Sequence, residues 1–213
     1  MNPILTIQDY NEPKSSTCSD FKIFRKGDLI FRQGALSEGF YLLKKGAVKL
    51  QQLLPNGSQT ILRIVLPGDF FGDGAPNQET TNLTSAWVME EDTLVQKLPV
   101  QNFSLSELNQ ELTCQLLELN KRMGIRHARF LVSEAEDRIK YSLYDLAIKK
   151  GRRFGDETLL KINLTHEEIA FLADTSRQMV SKTLSHLKRS GLINYSRNRF
   201  LFRNIQAFKP TTV

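Results

Sequence analysis

The sequence is poor in cysteine and has no long apolar run. Its 213 residues include only Cys18 and Cys114, which are too few for a disulfide framework or a four-cysteine iron–sulfur cluster. No stretch approaches the roughly 18 apolar residues that span a bilayer, and residues 1–9 lack the basic and apolar segments of a secretion signal. These absences predict a protein with no membrane partner in the reducing cytoplasm, and they assign no role to either cysteine.

Acidic residues are missing from the C-terminal end. The last one is Asp174, and residues 175–213 contain eight basic side chains and no carboxylate. Residues 1–132 hold 14 basic and 14 acidic residues, so the whole net charge of +6 falls in residues 133–213. Because solvated surfaces normally mix both signs, this segment predicts contact with an external polyanion such as nucleic acid. An ordinary basic surface is the alternative that composition leaves open.

Glycine is concentrated near the N-terminus. Eight of the twelve glycines lie within residues 27–74, where they separate short β-prone runs. Turn residues about every 8–12 positions between such runs are typical of an all-β barrel or sandwich. Asn56-Gly57 predicts a hairpin, since this pair readily takes the positive φ values that tight turns need. Further β-prone runs continue to about residue 98.

The apolar period changes after the β region. From about residue 112 to 130, apolar side chains recur at steps of four and three, with one interruption at Arg126. This pattern predicts a helix with a seam of about three heptads that packs along a partner helix. The alternative is that the stripe packs on the chain's own β domain. The predicted dimer seam consists of Leu112, Leu116, Leu119, Met123 and Phe130.

A second helical region follows the long helix. Ser133 and Glu136 have the spacing of a capping box and predict a new helix with Ile139, Leu143 and Leu146 inside. Ser133 is therefore the predicted domain boundary. The sequence thus predicts an α+β protein with a β domain over residues 1–110, a long helix over 111–132 and a C-terminal domain over 133–213.

The C-terminal domain contains two short helices with a break between them. Thr165 and Glu168 form a second predicted capping box, which begins a helix with Ile169 and Leu172 inward. Ser176 can cap the next helix, which runs from Arg177 to about Arg189. The buried stripe of that helix is predicted at Val180, Leu184 and Leu187.

The opposite face of the second helix presents hydrogen-bond donors. An arginine fork matches guanine and a glutamine amide matches adenine in the major groove. A predicted strand pair follows, with a basic turn at residues 196–199. Short helix, turn, polar-faced helix and basic wing together predict a winged helix-turn-helix. The candidate DNA-contacting residues are Thr165, Ser176, Arg177, Gln178, Ser181, Lys182, Ser185, Arg197 and Arg199.

Two other classes of protein fit the sequence less well. Residues 166–170 begin like the zinc-protease motif HExxH, but position 170 is alanine, so the second ligand is missing. His127, His166 and His186 show no metal-ligand spacing, and no phosphate-binding glycine loop precedes a helix. The sequence therefore predicts neither a metal site nor catalysis. A small-molecule sensor that acts on a protein partner would share the β domain, but it does not account for the acid-free C-terminal segment.

Four segments resemble the CRP/FNR superfamily of bacterial transcription regulators. Residues 24–34 (FRKGDLIFRQG), 40–46 (FYLLKKG) and 66–72 (LPGDFFG) are similar to its cyclic-nucleotide-binding β-roll, and 176–182 (SRQMVSK) to its recognition helix. The resemblance implies a double-stranded β-helix (jelly-roll) effector domain, a hinge near Ser133 and a homodimer. It further implies two recognition helices in successive major grooves of a pseudo-palindromic double-stranded DNA site, and RNA polymerase as a further partner.

The chain departs from the resemblance in the effector pocket. Members that bind cyclic nucleotides have Gly-Glu at the start of the phosphate cassette and an arginine before Ser-Ala at its end, where this chain has Gly72-Asp73 and Thr84. A cyclic phosphate held away from water needs a cation, and no Lys or Arg occurs between Arg63 and Lys97. We therefore expect that cyclic AMP is not the effector, with a cyclic-AMP-responsive activator as the alternative.

The effector is not identified by the sequence. Haem binding through His127 stays open, although a lone histidine on a long helix is more often a surface or interface residue. An oxygen-sensing cluster would need more N-terminal cysteines than Cys18. Nothing indicates whether the protein activates or represses. The residues that the resemblance implies for an effector pocket are Phe71, Gly72, Asp73, Gly74, Thr84, Ser85, Met123, Gly124 and His127.

The recognition helix also departs from the resemblance. Arg177 matches the family's guanine-reading arginine, whereas Gln178 replaces the usual glutamate. Lys182 stands where arginine is common and loses the bidentate geometry while keeping the charge. These differences predict a DNA half-site that is altered at the base pair read by Gln178.

Overall fold

The structure is a computed structural model that describes residues 20–73, 80–98 and 107–210; the side chains of residues 107–109, 111 and 112 lie outside the description. The N-terminal half is built from short strands, as the glycine pattern predicts. Those strands are β1 (Asp20–Phe24), β2 (Leu29–Phe31), β3 (Phe40–Lys45), β4 (Val48–Leu53), β5 (Gln59–Val65), β6 (Phe70–Phe71), β7 (Ser85–Val88) and β8 (Thr93–Leu98).

These strands form two four-stranded antiparallel sheets. Their orders are β1-β8-β3-β6 and β2-β7-β4-β5, so early and late strands alternate in each sheet, as in a jelly roll. The core between the sheets consists of alternate side chains from the strands, among them Leu43, Val48, Val65 and Val95. The predicted β-roll architecture is confirmed.

The predicted hairpin joins β4 to β5. Gly57 has φ +81°, a value that glycine adopts without steric cost, and the Asn56 side chain accepts a hydrogen bond from the backbone N–H of Ser58 at 3.0 Å. A backbone hydrogen bond from Leu54 to Ser58 closes the loop at 2.8 Å. The turn therefore forms where its two residues predict it.

The C-terminal half combines helices with a small sheet. The helix predicted over residues 112–130 extends further at both ends, and no helix among the described residues combines the length and apolarity that a bilayer span requires. The small sheet has the strand order β11-β12-β10-β9. The elements are α1 (Glu107–Val132), α2 (Ala135–Lys150), β9 (Arg152–Phe154), β10 (Glu157–Lys161), α3 (His166–Leu172), α4 (Arg177–Arg189), β11 (Ile193–Ser196), β12 (Arg199–Phe202) and a 3₁₀ turn at Ile205–Phe208.

The predicted capping box at Ser133 is wrong. The N-cap of α2 is Glu134, whose side chain makes no capping hydrogen bond. Ser133 still belongs to the last turn of α1, since its N–H donates to the carbonyl of Arg129 at 2.9 Å. Its own carbonyl accepts from Nη1 of Arg138 at 2.7 Å. The Ser133 N–H is thus already bonded within α1 and is not free for Glu136, although the side chains predicted inside α2 are buried.

The C-terminal half packs directly on the β-roll. Ile61 and Ile64 of β5 belong to the same buried cluster as Ile139 of α2 and Ile169 of α3. Ion pairs surround this contact: Lys150 lies 2.5 Å from Glu90 and Lys149 lies 3.2 Å from Asp69. Apolar burial and peripheral charge pairs thus hold both halves in one arrangement.

Arg126 holds three elements together at this contact. Its Nε and Nη2 bind both carboxylate oxygens of Asp174 at 2.9 and 2.7 Å. Its Nη1 donates to the carbonyls of Ile61 and Leu62 at 3.0 and 2.7 Å, and its Nη2 also donates to that of Phe171 at 3.0 Å. The side chain that interrupts the predicted seam is therefore directed inward, where it joins α1, β5 and the turn after α3.

The predicted seam of α1 faces outward in the single chain. Leu116, Met123 and Phe130 are 49%, 56% and 50% exposed, Leu119 is half-buried, and the side chain of Leu112 lies outside the described residues. Contacts to the β-roll come from other faces, for example from Gln115, which hydrogen-bonds to the backbone of β6. Leu116 and Phe130 are thus open to a partner, whereas Leu119 and Met123 also line a cavity that β5 shares.

We predict that Arg126→Met destabilises the protein by about 2–4 kcal/mol, because it removes five hydrogen bonds and leaves a half-buried carboxylate without its partner. Urea unfolding followed by the fluorescence of Trp87 measures the change. Arg122→Met is the matched control on the same helix, since its ion pair with Glu118 is half exposed and exposed pairs contribute roughly 0–1 kcal/mol. Equal losses in the two variants would contradict the role given to Arg126.

Candidate nucleic-acid interface

The helix-turn-helix begins at a complete capping box. The Oγ1 of Thr165 accepts a hydrogen bond from the N–H of Glu168 at 3.1 Å, and Oε2 of Glu168 accepts from the N–H of Thr165 at 2.9 Å. Two backbone donors that α3 would leave free at its start are thereby satisfied. This predicted box is confirmed.

Glu168 also ties α3 to the β-roll. Its Oε1 lies 2.6 Å from Nζ of Lys49 on β4, and the two side chains are only 17% and 23% exposed. Burial alone would raise the pKa of Glu168, but hydrogen bonds from Lys49 and Thr165 outweigh burial and hold the pKa below its ordinary value. The carboxylate is therefore kept ionised by the contacts that fix α3.

The helix α4 is anchored by its apolar face and by its cap. The Oγ of Ser176 accepts from the N–H of Met179 at 3.2 Å, as predicted. Val180, Leu184 and Leu187 are fully buried and pack against α2 and the small sheet within one cluster. The predicted stripe is confirmed, and its burial fixes which side of α4 faces outward.

The outward face of α4 carries unengaged donors. Arg177, Gln178, Lys182 and Ser185 are exposed, and no hydrogen bond or ion pair occupies these four side chains within the part of the chain that the structure describes. The nearest preceding carboxylate, that of Asp174, is taken by Arg126. This face can therefore donate hydrogen bonds to a partner outside the chain.

Ser181 differs from its neighbours on α4. Its Oγ lies 2.9 Å from Nδ1 of His166 on α3 and donates to the carbonyl of Arg177 at 3.1 Å. The hydroxyl is thus engaged inside the protein, although the sequence places it on the polar face. Sequence spacing could not show this bond, because it depends on how α3 crosses α4.

The wing is a hairpin of β11 and β12. Arg197 lies in its turn and Arg199 at the start of β12, and both side chains are exposed. The two strands of the hairpin contact each other through Tyr195 of β11, whose ring stacks on that of Phe200 of β12 with centroids 6.0 Å apart. Lys188 of α4 lies over the Tyr195 ring at 5.5 Å, so the wing and α4 are fixed relative to one another.

Asn163 supports the wing, a role that its sequence context does not indicate. The Asn163 amide is oriented so that both its nitrogen and its oxygen have partners. Its nitrogen donates to the carbonyl of Arg197 at 3.2 Å and to Oδ1 of Asn198 at 3.3 Å. Its oxygen accepts from Nζ of Lys26 at 2.5 Å. The wing turn therefore lies beside a cation of the β-roll. No local pattern signals this contact, because the residues belong to distant parts of the chain.

The residues expected around an effector fall into two groups. Phe71 and Thr84 are buried, and Ser85 accepts from the backbone N–H of Gln33 at 2.9 Å. Gly72 has φ +111°, and a Cβ there would lie 2.7 Å from the carbonyl oxygen of Gly39, so only glycine fits. Gly74 lies outside the described residues.

Asp73 is hydrogen-bonded within its own loop. Its Oδ2 accepts from the N–H of Leu83 at 2.8 Å, and its carbonyl accepts from Oγ1 of Thr80 at 2.9 Å. The guanidinium of Arg63 donates to the carbonyl of Phe70; burial lowers its pKa, and Asp69 acts in the opposite direction. The loop's carboxylate is thus engaged, and Arg63 already faces acidic groups.

The second group lies on α1. Gly124 and His127 are exposed, and Met123 lines a cavity with α2. In the described ranges, no hydrogen bond or ion pair joins these three residues to residues 71–85, and no cluster of three or more His, Cys, Asp or Glu is placed to hold a metal ion. The structure thus brings the two ends of the cassette together without the helix residues.

Both halves match known domain families. The cyclic nucleotide-binding domain matches residues 21–104, and the Crp-like helix-turn-helix domain matches residues 125–210. The crystal structure of TTHB099, a CRP-family transcriptional regulator from Thermus thermophilus, superposes with a TM-score of 0.73 at 28% identity. It covers 88% of this chain and 94% of that one.

Three curated proteins are similar over most of the chain. Transcriptional regulator LdrP from Thermus thermophilus is 29% identical over 191 residues, 88% of this chain and 94% of the relative. The cyclic AMP receptor protein of the same organism is 30% identical over 184 residues, 81% and 78% of the two chains. The CRP-like cAMP-activated global transcriptional regulator of Mycobacterium tuberculosis is 27% identical over 178 residues, 80% and 78%.

We predict that Glu168→Gln lowers the free energy of unfolding by roughly 1 kcal/mol near neutral pH. The variant should also lose less of this free energy than the wild type as the pH is lowered. Because the folded-state pKa of Glu168 lies below the ordinary value of 4.5, its contribution is complete above the unfolded pKa and is lost as pH falls through the folded pKa. Urea midpoints measured from pH 7 down to about pH 3 test this. Glu167→Gln, next to it and exposed, should keep the wild-type pH dependence; a parallel profile for Glu168→Gln would refute the assignment.

Proposed function

Since the chain belongs to the CRP/FNR family of transcriptional regulators, we propose that it binds a pseudo-palindromic site in double-stranded DNA as a homodimer, with α4 in the major groove. The observation that carries this proposal is the set of exposed, unengaged donors on α4 beside the two arginines of the wing. The relatives are transcriptional regulators, so the chain is not an enzyme. RNA polymerase is the further partner that we propose.

The candidate residues divide by the group that they contact. Arg177 and Gln178, in the first turn of α4, read base edges, and Lys182 and Ser185 extend that contact by one turn. The wing arginines bind phosphates and position the domain. Ser176 caps α4 by accepting a hydrogen bond, which leaves its hydroxyl proton free for a phosphate oxygen. The Thr165 hydroxyl also donates to Oε2 of Glu168 at 3.1 Å, so a phosphate would have to compete with that bond. Ser181 mainly holds α4 against α3.

We propose that dimerisation uses the outward seam of α1. Leu116, Met123 and Phe130 would leave large apolar areas in water if the chain stayed single, and their heptad spacing suits a parallel partner helix. The domain organisation over residues 1–110, 111–132 and 133–213 goes with this proposal. It is supported by the break between Val132 and Ala135, which separates α1 from α2.

We further propose that cyclic AMP is not the effector. Asp73 already accepts from its own loop, and no lysine or arginine lies among the described residues of 64–96 to pair with a cyclic phosphate. The alternative is a cyclic-AMP-responsive activator, and two relatives whose names include cyclic AMP favour it. We do not propose haem, since His127 is exposed on α1.

Selection from random duplexes should identify the half-site, and fluorescence anisotropy at several salt concentrations should then measure affinity. We expect Arg177→Ala to weaken binding by about 1–3 kcal/mol and to relax specificity at one base pair. Arg197→Ala should weaken all sequences alike and reduce the salt slope by about one unit. Lys44→Ala, an exposed cation of the β-roll, is the control.

Each part of the DNA-binding proposal has a result that would overturn it. Recovery of TGTGA, the half-site that the resemblance implies when the usual glutamate is present, would overturn the altered base pair proposed for Gln178. Identical behaviour of the Arg177 and Arg197 variants on every duplex would overturn the division between base and phosphate contacts. A sensor that acts only on a protein partner would show no steep fall of duplex affinity with salt.

Adding cyclic AMP to the same titrations should leave operator affinity unchanged within about twofold, because an unpaired cyclic phosphate is costly to bury. As a control, cyclic AMP is added to the Arg177→Ala variant. Any change in the duplex affinity of that variant measures an effect of cyclic AMP that is independent of base recognition by Arg177. A large gain in wild-type affinity with cyclic AMP would instead establish the alternative.

A further inference from the structure

A cavity lies where the two halves of the chain meet. Its volume is about 410 Å³, and its walls come from β5, α1, α2 and the turn between α3 and α4. It is separate from the phosphate cassette, since neither the residues described at 71–73 nor those at 84–85 line it. Cavities of about 300–1,000 Å³ are the usual size for small-molecule sites.

The charges of the cavity wall are unbalanced. Its six cationic side chains share the wall with three carboxylates, those of Glu118, Asp145 and Asp174. Lys149 pairs with Asp69 outside the wall, which leaves an excess of two positive charges. Because like charges that share a partly buried site repel, an anion in the cavity would lower their electrostatic energy. The six cations are Arg63, Arg122, Arg126, Arg129, Arg138 and Lys149.

The hydrogen bonds of these cations differ. Arg126 is saturated by Asp174 and three carbonyls. Within the described ranges, Arg63 and Arg138 donate only to carbonyl oxygens. These two guanidinium groups therefore carry full charges with no carboxylate hydrogen-bonded to them.

Arg129 has an unused donor. Its Nη1 donates to Asp145 at 2.9 Å, and its guanidinium lies over the ring of Tyr141 at 4.9 Å. Its Nε is buried and has no hydrogen-bond partner among the described residues. Buried donors are rarely left unpaired, so a small shift of this side chain toward an acceptor in the cavity would be favourable.

The rest of the wall is apolar. Leu119 and Met123 of α1 line it together with Ile148 of α2, which is half exposed. An occupant that satisfies both kinds of wall has a compact anionic group and an apolar body. A carboxylate can accept two parallel hydrogen bonds from a planar guanidinium. A monatomic anion such as chloride cannot match this two-atom geometry.

We infer that this cavity binds a small organic carboxylate, with its anionic group at Arg129 and its apolar body against Leu119, Met123 and Ile148. The inference goes beyond DNA binding and does not rest on it. Because the walls belong to both halves, an occupant binds the arrangement in which they pack together and stabilises it by its differential affinity. The cavity is thus a place where a metabolite would act on the position of α4.

Isothermal titration of the full-length chain with octanoate, cinnamate and indoleacetate tests the inference, with octanol, cinnamyl alcohol and indole-ethanol as uncharged counterparts. At least one carboxylate should bind and should bind at least about tenfold more tightly than its alcohol. Arg129→Met should weaken that carboxylate by about tenfold or more, since a charge-assisted hydrogen bond is lost. Ile148→Trp should also weaken it, because the larger side chain fills part of the cavity.

Arg153→Met is the matched control, because Arg153 is an exposed arginine of β9 outside the cavity wall; it should bind the carboxylate like the wild type. Circular dichroism and the thermal midpoint of each variant check that it is folded. The inference is overturned if none of the three carboxylates binds, if acids and alcohols bind equally, or if the Arg129 and Arg153 variants behave alike. No DNA is present, so none of these results bears on the proposed operator binding.

Discussion

The arrangement of the chain depends on the contact between Arg126 and Asp174. Asp174 has φ +50°, a left-handed conformation that non-glycine residues adopt at some cost, and it follows Ala173, the C-cap of the first helix of the helix-turn-helix. Both of its carboxylate oxygens accept from one edge of the Arg126 guanidinium, while Arg138 donates to its carbonyl at 2.9 Å. Since Arg126 also binds the carbonyls of β5, this side chain of α1 connects the turn between α3 and α4 to the β-roll.

This contact explains how α4 is presented. Its apolar stripe is buried in a core that continues into β5, so α4 cannot rotate without exposing that core. Glu168 strengthens the same contact by linking the cap of α3 to Lys49. The donors on the outer face of α4 are left open because the inner face and the last acidic side chain before it are fully occupied by the protein itself.

Local patterns predicted much of the fold because they depend on nearby residues. The Thr165 box and the Ser176 cap each need only a hydroxyl, a helix start and a spacing of three residues, and both formed. The capping-box pattern was wrong at Ser133, because the backbone N–H that Glu136 would bind is already bonded to Arg129 in the preceding helix. The prediction for Ser181 differed from the structure in another way. Helical spacing places Ser181 on the polar face of α4, but the way α3 crosses α4 brings His166 within hydrogen-bond distance of its hydroxyl.

Local patterns therefore predicted the short-stranded β domain, the helices, the apolar stripe of α1 and the acid-free recognition face, because period, capping and charge are properties of short segments. They left open which surface the stripe of α1 contacts. Only the packing of distant segments turns Arg126 inward, joins the wing to Lys26 through Asn163, and places six cations around one cavity. Each of these contacts joins side chains from distant segments, and no local preference encodes the distance between them. They arise only when the buried faces of both halves are packed against each other.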